Sequence, residues 1–295
     1  MEIEMKVSGF TFVRNAQILG YPFVQSIKSV LPIVDEFIIA LGPCEDGTEK
    51  MIKDIGSDKI KIIHTQWNEN MRTDVKLKGF VYGQQKSIAL FNCTGDWAFY
   101  LEADEVIHED DLPRIKYSME KYLHDDRVEA LVFDYIHFYG NRNTFAWSPG
   151  WYRRAPRILR NNIPSWASEG LFFIVLESHK RGRYPRAALT GAKIYHYGWV
   201  RSEEQMNLKA QKVGRYWSDK GSSEVKYSDI DSAILREFKG VHPAIMQEWL
   251  PEAEGLYEAN PAHKLSRKEI KHRAALFIEK ILGVELSKKH FSLVR

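Results

Sequence analysis

With 295 residues, 42 basic and 39 acidic side chains and a net charge of +3, the chain carries too little excess charge to bind nucleic acid by electrostatics alone. Hydrophobic residues at 44% and charged residues at 27% match a folded globular composition, and no apolar run nears the roughly 18 residues that span a bilayer. Cys44 and Cys93 form no disulfide framework, and the opening MEIEMKVSGF lacks the basic and apolar regions of a signal peptide, so the expected location is the cytoplasm, at most peripheral at the inner face of a membrane.

In chain order, KVSGFTFV (6–13) reads as a strand and PFVQSIKSVLPIV (22–34) as a helix with apolar spacing near 3.6. EFIIAL (36–41) is a short continuous apolar run of the kind buried in parallel sheets. DGTEKMIKDIG (46–56) reads as a helix, KIKIIHT (59–65) as a strand, GQQKSIALFNC (83–93) as a helix and DWAFYLEAD (96–104) as a fourth strand. This β-α-β-α-β-α-β order predicts a parallel sheet with crossover helices. Then come a helix over 112–123, a strand over 128–140, loops with short strands over 141–190 and a strand over 192–199. From 201 onward helical patterns dominate, at 202–217, 242–249 and 266–283. A boundary near 200 divides an α/β body from a helical C-terminal extension, 201–295.

Ligands of open α/β sheets bind at the carboxyl ends of the strands. The stretches following the four strands are VRNA, GPCEDGT, TQWNEN and LEADE, all polar and three of them acidic. Six carboxylates fall within residues 102–111, directly after a strand that reads as buried. Glu102 and Asp104 are two apart, so in an extended chain both point to one side, where two carboxylates can hold a divalent cation with a diphosphate completing the shell. A solvated acidic loop is the alternative for that pair. Glu109, Asp110 and Asp111 precede a helix and suit its positive N-terminal end. Asp46 sits where an N-cap is wanted before Gly47-Thr48.

Taken together, VSGFTFVRNA, CEDGTE, GQQKSIALFNCTGDWAFYLEADEV and IYHYGW resemble an inverting family 2 glycosyltransferase of the GT-A fold, closest to the bacterial branch with lipopolysaccharide core glucosyltransferases. The resemblance covers roughly residues 5–217. It implies a Rossmann-like, mostly parallel mixed sheet flanked by helices, with 1–111 binding a nucleoside-diphosphate sugar and 112–200 facing a glycan or lipid-linked acceptor in cell-envelope polysaccharide synthesis. It implies a divalent cation, Mn²⁺ or Mg²⁺, on a D-x-D motif that here reads Glu102-Ala103-Asp104, with Asp104 the expected direct ligand. It implies donor contacts from Phe12, Arg14 and Asn15, from Asp46 toward base or ribose, and from Lys86, which stands where the family often carries an Arg.

The same resemblance points to Glu169, in SWASEGLFF, as the base that takes the acceptor proton; related enzymes place a His before that Glu, and here the residue is Ser168. His196, in IYHYG, is by default a core histidine, and the resemblance implies a place in the metal shell or on the diphosphate. The clusters WYRRAPRILRNN (151–162) and KRGRYPR (180–186) read either as solvated loops or as a seat for an anionic acceptor. Residues 264–295 hold nine Lys/Arg against three Asp/Glu, with Ile270, Ala274, Phe277 and Ile281 on one helical stripe. Such a helix either docks its stripe on the body or adsorbs to an anionic membrane surface.

Two other functions stay open. A sugar-phosphate nucleotidyltransferase shares the α/β logic, but FTFVRNAQILG lacks the Gly-rich basic loop that cradles a triphosphate. A homologue that binds nucleotide-sugars without catalysis is the other. The donor-specific and acceptor-specific loops are expected in 66–82 and 141–190.

Overall fold

The computed structural model describes residues 5–68, 70–71, 77–216 and 224–294. Part of the expected specificity loop 66–82, the last residue of the expected 202–217 helix and the terminal Arg295 lie outside them.

The first half alternates as its pattern predicts: β1 (Val7–Val13), α1 (Phe23–Val30), β2 (Glu36–Leu41), α2 (Thr48–Lys53), β3 (Ile60–His64), α3 (Phe80–Phe91) and β4 (Trp97–Tyr100). Pro32 brings the 22–34 helix to an early end in a 3₁₀ turn, Leu31–Ile33. After β4 come β5 (Glu105–Ile107), α4 (Leu112–Tyr122), β6 (Ala130–Tyr139), β7 (Asn141–Ala146) and β8 (Arg154–Arg160). The short strands β9 (Ser165–Trp166), β10 (Ile174–Ser178) and β11 (Arg181–Arg183) form a separate three-stranded sheet. β12 (Arg186–Trp199), α5 (Glu203–Val213), β13 (Leu235–Glu237), α6 (Arg267–Leu282) and β14 (Ser292–Leu293) complete the order.

β3, β2, β1 and β4 lie side by side and parallel, with Ile38 of β2 between Phe10 of β1 and Lys61 of β3. β8 then runs antiparallel between β4 and β6. β6 carries the long β12 in parallel along one edge and β8 followed by β7 along the other. β2 and β4 are buried on both faces, which is why EFIIAL and WAFY read as near-continuous apolar runs, while β3 at the edge of the sheet is only half-buried. Phe37, Ile39 and Leu41 pack toward α1, α2 and α4, while Ile38 and Ala40 pack toward α3, the period-two alternation of a strand.

Three expectations need correction. The stretch 141–190 is not chiefly loop, since β7 and β8 are full members of the main sheet. The expected helix over 242–249 is only a 3₁₀ turn, Ala244–Met246, and among the described residues no α-helix forms between α5 and α6. The segment instead threads β13 onto β7, just as β14 joins β12. Finally, the apolar stripe of α6 is not packed on the body. The helix forms where its caps demand, with a Ser266/Glu269 capping box and Gly283 at φ +63, but it turns a different face inward.

Candidate active site

The chain leaves the four parallel strands along one edge, and the stretches that follow meet there. Arg14 and Asn15 after β1, Glu45 after β2, Trp67 after β3, and Glu102 and Asp104 after β4 line a cleft of about 740 Å³. Glu169 borders it, and α5 with the turn after it adds Lys209, Lys212 and Tyr216. Asn15, at φ +51, adopts the left-handed conformation that Asn tolerates, and its Oδ1 accepts from the Glu45 amide at 2.8 Å, clipping two of these loops together.

The acids after β4 do not run extended. The chain turns, with the Glu105 amide donating to the Glu102 carbonyl at 3.0 Å, and β5 then departs as a buried strand. β5 pairs antiparallel with β12 so that His196 stands opposite Glu105. One ligand atom each from Glu102, Asp104 and His196 thereby falls within 4.8 Å of the others.

Buried acids need partners, and each has one. Glu105 is fully buried; Arg157 grips it with Nε to Oε2 at 2.8 Å and Nη2 to Oε1 at 2.7 Å, and the Tyr135 hydroxyl adds a bond at 2.8 Å. Burial alone would raise the Glu105 pKa, but the Arg157 guanidinium outweighs it and holds the group below the usual range. Arg157 also reaches Glu102 at 3.0 Å. For Glu102, burial and the neighbouring Glu105 charge win over Arg157, pushing its pKa up to about 7. Asp104 goes the other way: burial is overridden by His196, Lys209 and Arg201, keeping it well below the normal carboxylate range. Arg201 Nη2 lies 3.0 Å from Asp104 Oδ2, and His196 Nε2 lies 3.6 Å from Oδ1.

Two carboxylate oxygens and an imidazole nitrogen are a donor set that Mn²⁺ or Mg²⁺ accepts. The backbone leaves room for it at Gly198, where a Cβ would lie 2.7 Å from His196 Cε1 and 3.0 Å from Asp104 Oδ2. Trp67 Nε1, which abuts Gly42, and the Tyr100 hydroxyl are buried with no hydrogen-bond partner among the described residues.

One wall is aromatic. Phe12, Trp67, Tyr82 and Tyr216 meet edge to face or tilted at 5.3–6.1 Å between centroids, with the Arg14 guanidinium over the Trp67 ring. Glu169 stands at the far side, its pKa raised by burial. Gly83 of α3 lets that loop approach, since a Cβ there would meet the Ala167 carbonyl and the Glu169 amide at 2.7 Å.

Of the residues the sequence singles out, Phe12, Arg14, Asn15, Glu102, Asp104 and Glu169 line the cleft, and His196 joins the acids. Asp46 does not line it. Its carboxylate accepts from the Ile18 amide at 2.9 Å and the Thr48 amide at 3.0 Å, tying the β1 and β2 loops at the start of α2. Lys86 is fully buried behind the site, donating to the Gly170 carbonyl at 3.0 Å over the faces of Tyr100 and Phe173. Burial, then the Arg157 charge, depress its pKa well below the usual lysine value.

The arginines of 151–162 are neither a solvated loop nor a free anion seat, whereas 180–186 is in part a solvated turn, with Lys180 and Arg181 exposed. Arg153 pairs with Glu279, Arg183 and Arg186 with Glu129, and buried Arg160 donates to the carbonyls of Tyr122, Leu123 and Val128. Sequence reasoning missed Arg157, Arg201, Lys209 and Tyr216 as site residues. Their distance along the chain from the acids gives no local signal; Trp67, inside TQWNEN, had one.

No family model matches the chain, and no curated protein matches it. Among solved structures, it is similar to glucosyl-3-phosphoglycerate synthase from Mycobacterium tuberculosis, in a complex with Mn²⁺, UDP and glucosyl-3-phosphoglycerate, at 18% identity and a TM-score of 0.32. That match covers 44% of each chain. It is also similar to S. aureus TarS 1–349 in complex with UDP-GlcNAc, at 14% identity and a TM-score of 0.35, covering 53% of this chain and 46% of that one. The chain thus spans less than half the length of these structures, and likeness at this level decides nothing about its activity.

Proposed function

We propose that this chain is a divalent-cation-dependent, inverting glycosyltransferase of GT-A type. It would move a sugar from a nucleoside-diphosphate sugar to a hydroxyl of a glycan, lipid or polysaccharide precursor, in keeping with the family 2 resemblance of its motifs. The observation that carries the reading is the convergence of Glu102, Asp104 and His196 within 4.8 Å in a cleft at the carboxyl edge of the parallel strands.

Glu102, Asp104 and His196 would hold Mn²⁺ or Mg²⁺, whose charge offsets that developing on the departing diphosphate. Lys209, Lys212 and Arg14 bring further cations to the same cleft. The aromatic wall of Phe12, Trp67, Tyr82 and Tyr216 offers ring faces and edges to the base. Asp46 and Asn15 act by fixing the loops that carry Arg14 and Glu45, and Lys86 by fixing the backbone beside Glu169. Glu169, poised by burial above the ordinary carboxylate range, takes the acceptor proton as the hydroxyl oxygen bonds to the anomeric carbon and the bond to the diphosphate oxygen breaks. In this reading 1–111 binds donor, 112–200 faces acceptor, and 201–295 closes the cleft through Lys209, Lys212 and Tyr216.

Thermal unfolding with UDP, GDP, dTDP and CMP, each with Mn²⁺, Mg²⁺ or chelator, tests the donor site. A nucleotide at about 100 times its Kd adds roughly 2.7 kcal/mol. Stabilisation that needs metal and vanishes in Asp104→Asn supports the reading, and no stabilisation by any pair overturns it. Glu169→Gln should keep that stabilisation and lose about 10²- to 10⁴-fold in transfer. The ion pair of Asp104 with Arg201 favours one second reading, a nucleotide-sugar binder without transfer. Metal-independent nucleotide binding with no turnover would select it.

A further inference from the structure

We infer that α6 presents a surface built to adsorb to an anionic lipid bilayer, with its apolar stripe facing solvent and its polar face docked on the body. This rests on how the helix is seated and is independent of the transferase reading.

The seat is made of charge pairs around Leu276, which packs on the cluster of Tyr139, Tyr227 and Ile234. Glu279 points inward, its side chain only 9% exposed, and takes two bonds from Arg153 at 2.8 and 3.0 Å. Arg273 closes a bidentate pair on buried Asp231 at 2.6 and 2.7 Å. Glu269 accepts from the Ser266 and Asp231 amides. The opposite side of the helix is left outward. Ile270 is 54% exposed, Phe277 65%, Ile281 63% and Leu282 64%, and no residue of α6 is buried. The chain beyond extends the patch with exposed Val284 and Leu286. Soluble proteins rarely leave so many large side chains in one exposed stripe without a partner for it.

Charge selects the partner. Arg267, Lys268, Lys271, Lys280, Lys288 and Lys289 are all exposed along and just past the helix. The three acids of this region are engaged elsewhere: Glu269 in its cap, Glu279 on Arg153, and Glu285 on Arg154 and the Ser287 hydroxyl. The outward face is therefore apolar and cationic. Two copies meeting across it would bring like charges together, whereas an anionic bilayer takes the apolar residues into its interface and the cations onto its headgroups. Among the described residues no helix is long and apolar enough to cross a membrane, so the contact would be a surface one.

The test is flotation of the full-length protein with phosphatidylcholine vesicles, with and without phosphatidylglycerol, at low and high salt. We expect binding only to the anionic vesicles, reduced by salt. Removing a charge should weaken it about fivefold per site, so Arg267→Gln/Lys271→Gln, on the side of Ile270 and Leu282, should bind some 25-fold less well. Phe277→Ser/Ile281→Ser should lose at least tenfold while unfolding at the same temperature or higher, because both residues are solvent-exposed in the free protein. Failure of the wild type to bind anionic vesicles overturns the inference. So does binding that neither variant weakens. A dimer by light scattering that Phe277→Ser/Ile281→Ser converts to monomer would overturn it in favour of a second copy.

Discussion

The Nδ1 atoms of His137 and His196 lie 3.0 Å apart, side by side on the paired strands β6 and β12. The other nitrogen of His137 faces the Tyr152 carbonyl at 2.7 Å. A carbonyl only accepts, so His137 Nε2 carries the proton. Burial above all holds the His137 pKa well below the usual histidine value, so this ring stays neutral and its Nδ1 has a lone pair. His196 Nδ1 must then be the donor, which leaves Nε2 turned toward Asp104. An imidazole that ligates a metal ordinarily donates its other N–H to an orienting acceptor, and His137 fills that place. His137→Phe should keep the packing and lose the acceptor, weakening Mn²⁺ binding about 10- to 100-fold by electron paramagnetic resonance titration. Unchanged affinity would leave His196 outside the ion's shell.

Gly198 tests the same geometry sterically. An added Cβ would sit 2.8 Å from His196 Nε2 and 3.0 Å from Asp104 Oδ2, in the gap an ion would share. Gly198→Ala should therefore weaken Mn²⁺ binding at least as much as His137→Phe. Overpacking of this kind costs roughly 1–3 kcal/mol, so the variant should still fold. Equal Mn²⁺ affinity with normal unfolding would show that His196 and Asp104 do not bind one ion together.

Legibility followed the range of the interactions. The unbroken run EFIIAL announced a strand buried on both faces, and β2 is that strand. The acids of 102–104 were readable because they directly follow such a run. What answers them was not: Arg157 is 52 residues from Glu105, and His196 reaches its neighbours only because β12 pairs with β5 and β6. Asp46 and Lys86 were legible as residues of the site's neighbourhood, but nothing local told that one ties loops and the other is buried under a backbone carbonyl. In α6 the periodicity revealed the stripe, and it could not tell which side docks. That was decided by Arg153 and Asp231, 126 and 42 residues from the helical residues they hold.

The Arg157–Glu105 pair is buried on both sides, and breaking it from one side strands a charge. Arg157→Met should cost about 3–5 kcal/mol in urea unfolding. Adding Glu105→Gln should return part of that loss, because the double variant removes the fully buried carboxylate and leaves only the partly exposed Glu102 without Arg157. Strictly additive losses would mean that the two groups do not stabilise each other.

Glu36 gives the pH dependence of folding a local source. Its Oε1 accepts from Ser8 Oγ at 2.7 Å and from the Thr94 amide and hydroxyl at 2.7 and 2.8 Å, and its Oε2 takes Lys61 Nζ at 2.6 Å. Burial alone would raise its pKa, but Lys61, Ser8 and Thr94 prevail and bring it from 4.5 down to about 2. A carboxylate depressed on folding contributes stability above its unfolded pKa, and that contribution fades as pH falls toward the folded value. The window here runs from about 4.5 to about 2, and the full contribution is at most about 3 kcal/mol. Glu36→Gln should therefore be less stable than wild type at pH 6, with the gap in urea midpoints closing as pH falls through that window. A gap that stays constant from pH 6 to pH 2.5 would mean that the charge on Glu36 does not hold β1, β2 and the Thr94 turn together.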